Sequence, residues 1–191
     1  FGKTVVGAWL VAKRGVSTLV LVHRQQLLDQ WVERLSTFLG VPAKSIGRIG
    51  GGRNTPTGLL DVALIQSLVK KGVVDDRAAG YGHLIVDECH HLSAHSFEQV
   101  ARHAKARFVL GLSATVARKD GHHPIIFMQC GPIRHTAAKP EGAPQTLEVT
   151  PRFLSTAIVV HSDAGIQEVF RTLAVDDART ARIVGEIVDA Y

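Results

Sequence analysis

The chain has 191 residues, 46% of them hydrophobic and 20% charged, with a formal net charge of +5. That length holds one α/β domain with its own core and a piece of something else, and the ordinary composition excludes collagen-like, low-complexity and disordered classes. No apolar run reaches the roughly 18 residues that span a bilayer, no signal peptide is visible, and the two cysteines, Cys89 and Cys130, suggest no disulfide framework, so a reducing, cytoplasmic compartment is expected.

In chain order, residues 4–13 read as a helix broken by Gly15, and residues 18–22 as a buried strand, β-branched and apolar throughout. Residues 25–39 read as a helix with Leu27, Leu28, Trp31, Leu35, Phe38 and Leu39 on one face and Gly40 past its end. Residues 45–49 suggest a short strand, Gly50, Gly51 and Gly52 a turn, residues 62–65 another strand, and residues 67–80 a partly helical stretch. A strand at 84–86, a helix near 95–104 and a strand at 108–110 continue an alternation that predicts a parallel sheet with helices on both faces. After Gly121 the pattern changes. Residues 125–128 and 132–135 read as short extended segments, 136–144 as a linker, and 145–154 as a weak strand. Residues 166–173 and 176–190 read as helices, the second capped by Asp176.

The chemistry concentrates in residues 84–91, Leu-Ile-Val-Asp-Glu-Cys-His-His. An apolar run ending in two acids reads as a doubly buried strand with carboxylates at its C-terminal end, where open parallel sheets bind ligands. Adjacent acids there suit a magnesium–nucleotide site, with one holding the metal through water and the other orienting the attacking water; a solvated acidic turn is the plain alternative. Gly2, Lys3 and Thr4 match the end of the phosphate-loop pattern G-x-x-x-x-G-K-[ST] and open a helix. Gly2 lets the backbone approach phosphate, Lys3 reaches the β/γ-phosphates, and Thr4 offers magnesium a hydroxyl. The first glycine of that pattern would precede Phe1, and the only methionine is Met128, so the chain is expected to be a fragment. Cys89, His90, His91 and His95, like His122 and His123 near Cys130, invite a zinc reading; only His91 to His95 falls near ligand spacing, without a cysteine pair, so none is expected.

A third element, Gly-Leu-Ser-Ala-Thr at 111–115, follows the apolar run 108–110. With all three in this order, residues 2–135 resemble the superfamily 2 helicases and translocases of the DEAD/DEAH-box type. Residues 87–90 are similar to motif II in its D-E-x-H form, 113–115 to motif III, and 2–4 to the end of motif I. Residues 19–24 with 27–31 resemble motif Ia and its helix, and 61–68 the segment before motif II. Residues 113–121 resemble the branch holding restriction-enzyme motor subunits and excision-repair translocases, with Val116 where many relatives carry proline.

The resemblance implies a RecA-like P-loop NTPase lobe over residues 1–135, a linker at 136–144 and the start of a second lobe at 145–191. It implies ATP and Mg2+ as cofactors, with Lys3, Asp87, Glu88 and His90 catalytic, Gly2, Lys3, Thr4 and Asp87 holding nucleotide, and Thr4 and Asp87 on magnesium. Ser113, Ala114 and Thr115 would couple hydrolysis to movement. His23, Arg24 and Gln25, with Gly50, Gly51, Gln66 and Ser67, would contact the backbone of one nucleic-acid strand, with DNA favoured and RNA left open; Arg118 and Lys119 are weaker candidates. The implied activity is ATP-dependent movement on nucleic acid, the alternative a nucleotide-dependent binding switch that does not move. The adenine-reading segment and the arginine finger are expected outside the chain, Arg179 and Arg182 are assigned no such role, and the fragment alone is expected to hydrolyse ATP negligibly.

Overall fold

Two strands are buried at every position, β1 (Thr18–Val22) and β7 (His83–Asp87), which is why both read as unbroken apolar runs rather than alternating ones. The computed structural model describes residues 2–91, 94–114, 123–138, 151 and 164–190. These fall into two compact units, Phe1–Thr136 and Ala137–Tyr191.

In the first unit, α1 (Lys3–Arg14) leads into β1, and α2 (Gln25–Leu39) follows it. Then come β2 (Gly47–Gly50), β3 (Arg53–Thr55), β4 (Leu60–Leu64), the single turn α3 (Ile65–Leu68), the strands β5 (Val69–Lys70) and β6 (Val73–Val74), and β7. Helix α4 (Ala94–His103), strand β8 (Phe108–Leu112) and α5 (His123–Cys130) complete it. Six strands form one sheet in the order β3-β2-β4-β1-β7-β8. All neighbours pair in parallel except β3, which returns antiparallel to β2 through Gly51 and Gly52, both at positive φ. Two consecutive left-handed residues give the primed turn that matches strand twist, and glycine takes that conformation without a Cβ clash. The sheet is therefore mixed but mostly parallel, an α/β fold.

Alternation along the strands builds a core on each face. Val20, Val22, Val62 and Ile85 meet Ala8 of α1 and Leu28, Trp31, Val32 and Leu35 of α2. Leu19, Leu21, Ala63, Leu84 and Val86 meet Leu68 of α3, Val100 of α4 and Ile126 of α5. A helix layer thus lies on each side of the sheet.

The structure departs from the sequence reading at residues 69–74 and in the segment after Gly121. Residues 67–80 are helical in part, at the end of α3 and in a 3-10 helix at Asp76–Gly80, but between these β5 and β6 form an unexpected hairpin across Lys71 and Gly72, at φ 49° and 79°. The left-handed Lys-Gly pair between β-branched valines is a two-residue hairpin connection. Residues 125–128, read as extended, are helical within α5, because Ile126 inserts into the core and Gly131, at φ 79°, closes the last turn with its N–H on the Phe127 carbonyl. Residues 132–135 form no strand, and the weak strand expected at 145–154 lies outside the described residues apart from Pro151. In the second unit, α6 (Ile166–Ala174) precedes α7 (Asp177–Ala190), and Asp176 caps α7 by accepting the Arg179 N–H at 3.0 Å. Among the described residues no helix is long and apolar enough to cross a membrane.

Candidate functional site

Because β1, β2, β4, β7 and β8 run parallel, their C-terminal ends share one margin of the sheet, and whatever follows each strand collects there. His23, Arg24 and Gln25 follow β1, Gly50 and Gly51 close β2, Gln66 and Ser67 follow β4, and Ser113 and Ala114 follow β8. Asp87 ends β7 and Glu88 comes next, leading into a 3-10 turn at Cys89–His91. Thr115, Arg118 and Lys119 lie outside the described residues.

Lys3 arrives at the same margin as the first residue of α1, with Gly2 at the N-cap in the left-handed region, φ 81°. Its ammonium donates to Glu88 Oε1, an ion pair between residues 85 apart in sequence. Glu88 itself has φ 47°. A left-handed non-glycine residue costs about 1 kcal/mol, and such conformations gather at functional sites. The turn aims the Glu88 carboxylate at the start of α1 while Asp87 stays on the strand. Asp87 is 6% exposed. Its Oδ1 accepts the Glu88 N–H at 3.0 Å, and its Oδ2 accepts the Trp31 indole Nε1–H at 2.7 Å. His90 Nδ1 lies 2.7 Å from Ser113 Oγ and 3.3 Å from Glu88 Oε2, so one imidazole bridges the acid turn and the end of β8. Thr4 takes a different partner, its Oγ1 accepting from Arg34 Nη1 at 3.1 Å.

Trp31 and Arg34, one turn apart on α2, are the site residues that sequence reasoning missed. Trp31 looked like any apolar position of an amphipathic helix; the one signal was that a buried indole N–H needs an acceptor. Burial pushes the Cys89 thiol up to about 11 and the Cys130 thiol to about 12, so neither offers a thiolate at neutral pH. Among the described residues no group of three or more His, Cys, Asp or Glu is placed to hold a metal.

The nucleic-acid candidates also come together. Gln66 Nε2 donates to the His23 carbonyl at 3.1 Å, tying the residues after β4 to those after β1. Gly51 lies against the Gln25 amide so closely that a Cβ would stand 1.6 Å from Oε1, and a Cβ on Gly50 would stand 2.6 Å from Ser67 Oγ. Arg24 is exposed at the N-cap of α2. The result is a ribbon of backbone, amides and a guanidinium, suited to a sugar–phosphate chain rather than base edges.

The donor set fits a magnesium triphosphate: Thr4 and Asp87 offer hard oxygen donors, and a lysine at a helix N-terminus is an arrangement that suits phosphate.

A family model described as type III restriction enzyme, res subunit, matches residues 1–118. A putative ATP-dependent RNA helicase of Acanthamoeba polyphaga mimivirus is 34% identical over 70% of this chain and 25% of its own length. The DNA 3'-5' translocase XPB2 of Sulfurisphaera tokodaii is 31% identical over 69% of this chain and 29% of its own. The DNA 3'-5' helicase XPB of Mycobacterium tuberculosis is 33% identical over 71% and 26%. The chain thus spans between a quarter and a third of the length of these relatives. The crystal structure of T4 UvsW superposes with a TM-score of 0.60 at 19% identity, covering 68% of this chain and 28% of that one, a likeness of fold.

Proposed function

Because this chain belongs to the family of the type III restriction enzyme res subunit, we propose that residues 1–135 are the ATP-binding RecA-like lobe of an ATP-dependent helicase or translocase acting on DNA. In this reading residues 136–144 are a linker and 145–191 begin a second lobe. The observation that carries it is the Lys3–Glu88 ion pair, which joins the phosphate-loop helix to the acid turn of β7.

The pair is the resting arrangement of two groups with separate tasks. On ATP binding Lys3 exchanges the Glu88 carboxylate for phosphate oxygens, and the released carboxylate orients the attacking water. Magnesium, held by Thr4 and Asp87, supplies charge neutralisation at the phosphates when bound. His90, in contact with both Glu88 and Ser113, passes the state of the acid turn to the end of β8. The ribbon from His23 to Gln25, Gly50 and Gly51, and Gln66 and Ser67 holds one strand by its backbone, which gives grip without sequence preference, as a motor needs.

Titration of the chain with fluorescent ATP and magnesium tests this. Lys3→Ala is expected to weaken binding by about 10- to 100-fold, the loss of a charge-assisted contact to phosphate, with the fold unchanged by circular dichroism. Arg24→Ala is expected to weaken single-stranded DNA binding and reduce its salt dependence by about one counterion. Unchanged ATP affinity in the Lys3 variant overturns the assignment of the nucleotide site.

A further inference from the structure

The chain has two tryptophans in opposite settings. Trp9 is 56% exposed on α1, whereas Trp31 is 1% exposed and reaches from α2 to the tip of β7. A buried indole N–H must find an acceptor, and a backbone carbonyl would serve. Here the acceptor is a carboxylate at the candidate metal site, and bonds to an ionised acceptor are roughly twice as strong as neutral ones. The ring's place is fixed from the other side by Gly7: a Cβ there would stand 2.7 Å and 3.1 Å from two ring carbons. The missing side chain in the phosphate-loop helix is the seat on which the indole lies. With Oδ2 held by Trp31 and Oδ1 by the Glu88 N–H, the plane of the Asp87 carboxylate is set from two directions. Each oxygen keeps a further lone pair for another partner.

We propose that Trp31 is a positioning residue for Asp87, its indole N–H orienting the carboxylate toward magnesium-bound nucleotide, with Gly7 as the seat that makes the contact possible. This rests on the nucleotide-site reading above. Supporting groups of this kind hold metal ligands in place, and their loss costs metal affinity without removing a ligand.

Two measurements on the 191-residue chain test it. With Trp9→Phe, Trp31 is the only tryptophan, and saturation with magnesium–ATP is expected to shift its emission, a shift that Asp87→Asn removes. Trp31→Phe keeps an aromatic ring against Gly7 but loses the donor. It is expected to raise the magnesium concentration needed for half-maximal binding of fluorescent ATP by about tenfold, within the range for lost supporting contacts, while metal-free ATP binding changes less than twofold. In the Asp87→Asn background Trp31→Phe is expected to add nothing, whereas a merely structural tryptophan would cost the same with either residue at 87. Should Trp31→Phe leave the magnesium requirement unchanged while Asp87→Asn raises it, the positioning role is overturned and the site reading stands. If Trp31→Phe does not fold, the Trp9→Phe measurement decides: emission unmoved by bound magnesium–ATP overturns the role. If Asp87→Asn itself leaves the requirement unchanged, or the unsubstituted chain binds no magnesium–ATP, the nucleotide-site reading fails and the positioning role falls with it.

Discussion

The two margins of the sheet in the first unit both carry buried polar groups, and they treat them in opposite ways. At the margin where β4 and β7 begin, Asp61 is fully buried and accepts the N–H groups of Thr57 and Gly58, the Thr57 hydroxyl at 2.5 Å and the Tyr81 hydroxyl. Burial alone would raise its pKa, but those bonds outweigh it and hold the carboxyl below its ordinary range. Gly47 leaves the space this needs, since a Cβ would stand 2.0 Å from Asp61 Oδ1. On the far side of β1, His83 is fully buried, bound at Nε2 by Arg14 at 2.6 Å, with Arg14 also stacked on Phe108. Burial, with the Arg14 charge, lowers its pKa to about 4, so it stays neutral. At the opposite margin Lys3 and Glu88 keep about a quarter of their side-chain surface exposed, and Glu88 holds a strained backbone. One end closes its polar groups on themselves, which stabilises the fold. The other leaves its paired charges part-exposed, as the proposed nucleotide site requires.

Substitutions at the two ends sharpen the contrast. The largest effect is expected from Asp61→Asn, which turns an amide donor toward the donors of Thr57, Gly58 and Tyr81. A loss of about 3 kcal/mol is expected from the urea midpoint, with ATP affinity of the folded protein unchanged. His83 gives the acid limb its slope. Its folded pKa lies below the unfolded 6.5, so between the two values the unfolded chain binds more protons; its contribution is complete above about pH 6.5 and lost as pH falls through 4. That is worth about 3 kcal/mol at most, and His83→Gln is expected to flatten the fall in stability measured between pH 6.5 and 4. The smallest effect, of opposite sign, belongs to the ligand margin. Glu88→Gly removes the left-handed strain and is expected to raise stability by about 1 kcal/mol while abolishing ATP turnover in any form of the protein that shows it. A loss of stability there comparable to that of Asp61→Asn would break the comparison.

Legibility followed the same physics. Strands β1 and β7 and helix α2 were readable because apolar runs and a 3.6-residue stripe report burial directly. Lys3, Asp87 and Glu88 stood out as candidates because phosphate and metal chemistry would restrict residue type and order, and the structure brings Lys3 to Glu88. Helix α5 was misread because its apolar run, Pro-Ile-Ile-Phe-Met, is too short to separate a strand from a buried helix. The β5–β6 hairpin was missed because Lys71, unlike asparagine or glycine, gives no warning of a positive φ.

By itself, then, the sequence determined that β1 and β7 are buried strands, that α2 is an amphipathic helix, and which chemical groups stand at the strand ends. The tertiary structure alone decided the strand order β3-β2-β4-β1-β7-β8, and with it the meeting of Lys3 with Glu88 and of Trp31 with Asp87. Periodicity records whether a side chain is covered, not by what. A contact across 56 or 85 residues exists only once the sheet has chosen its neighbours.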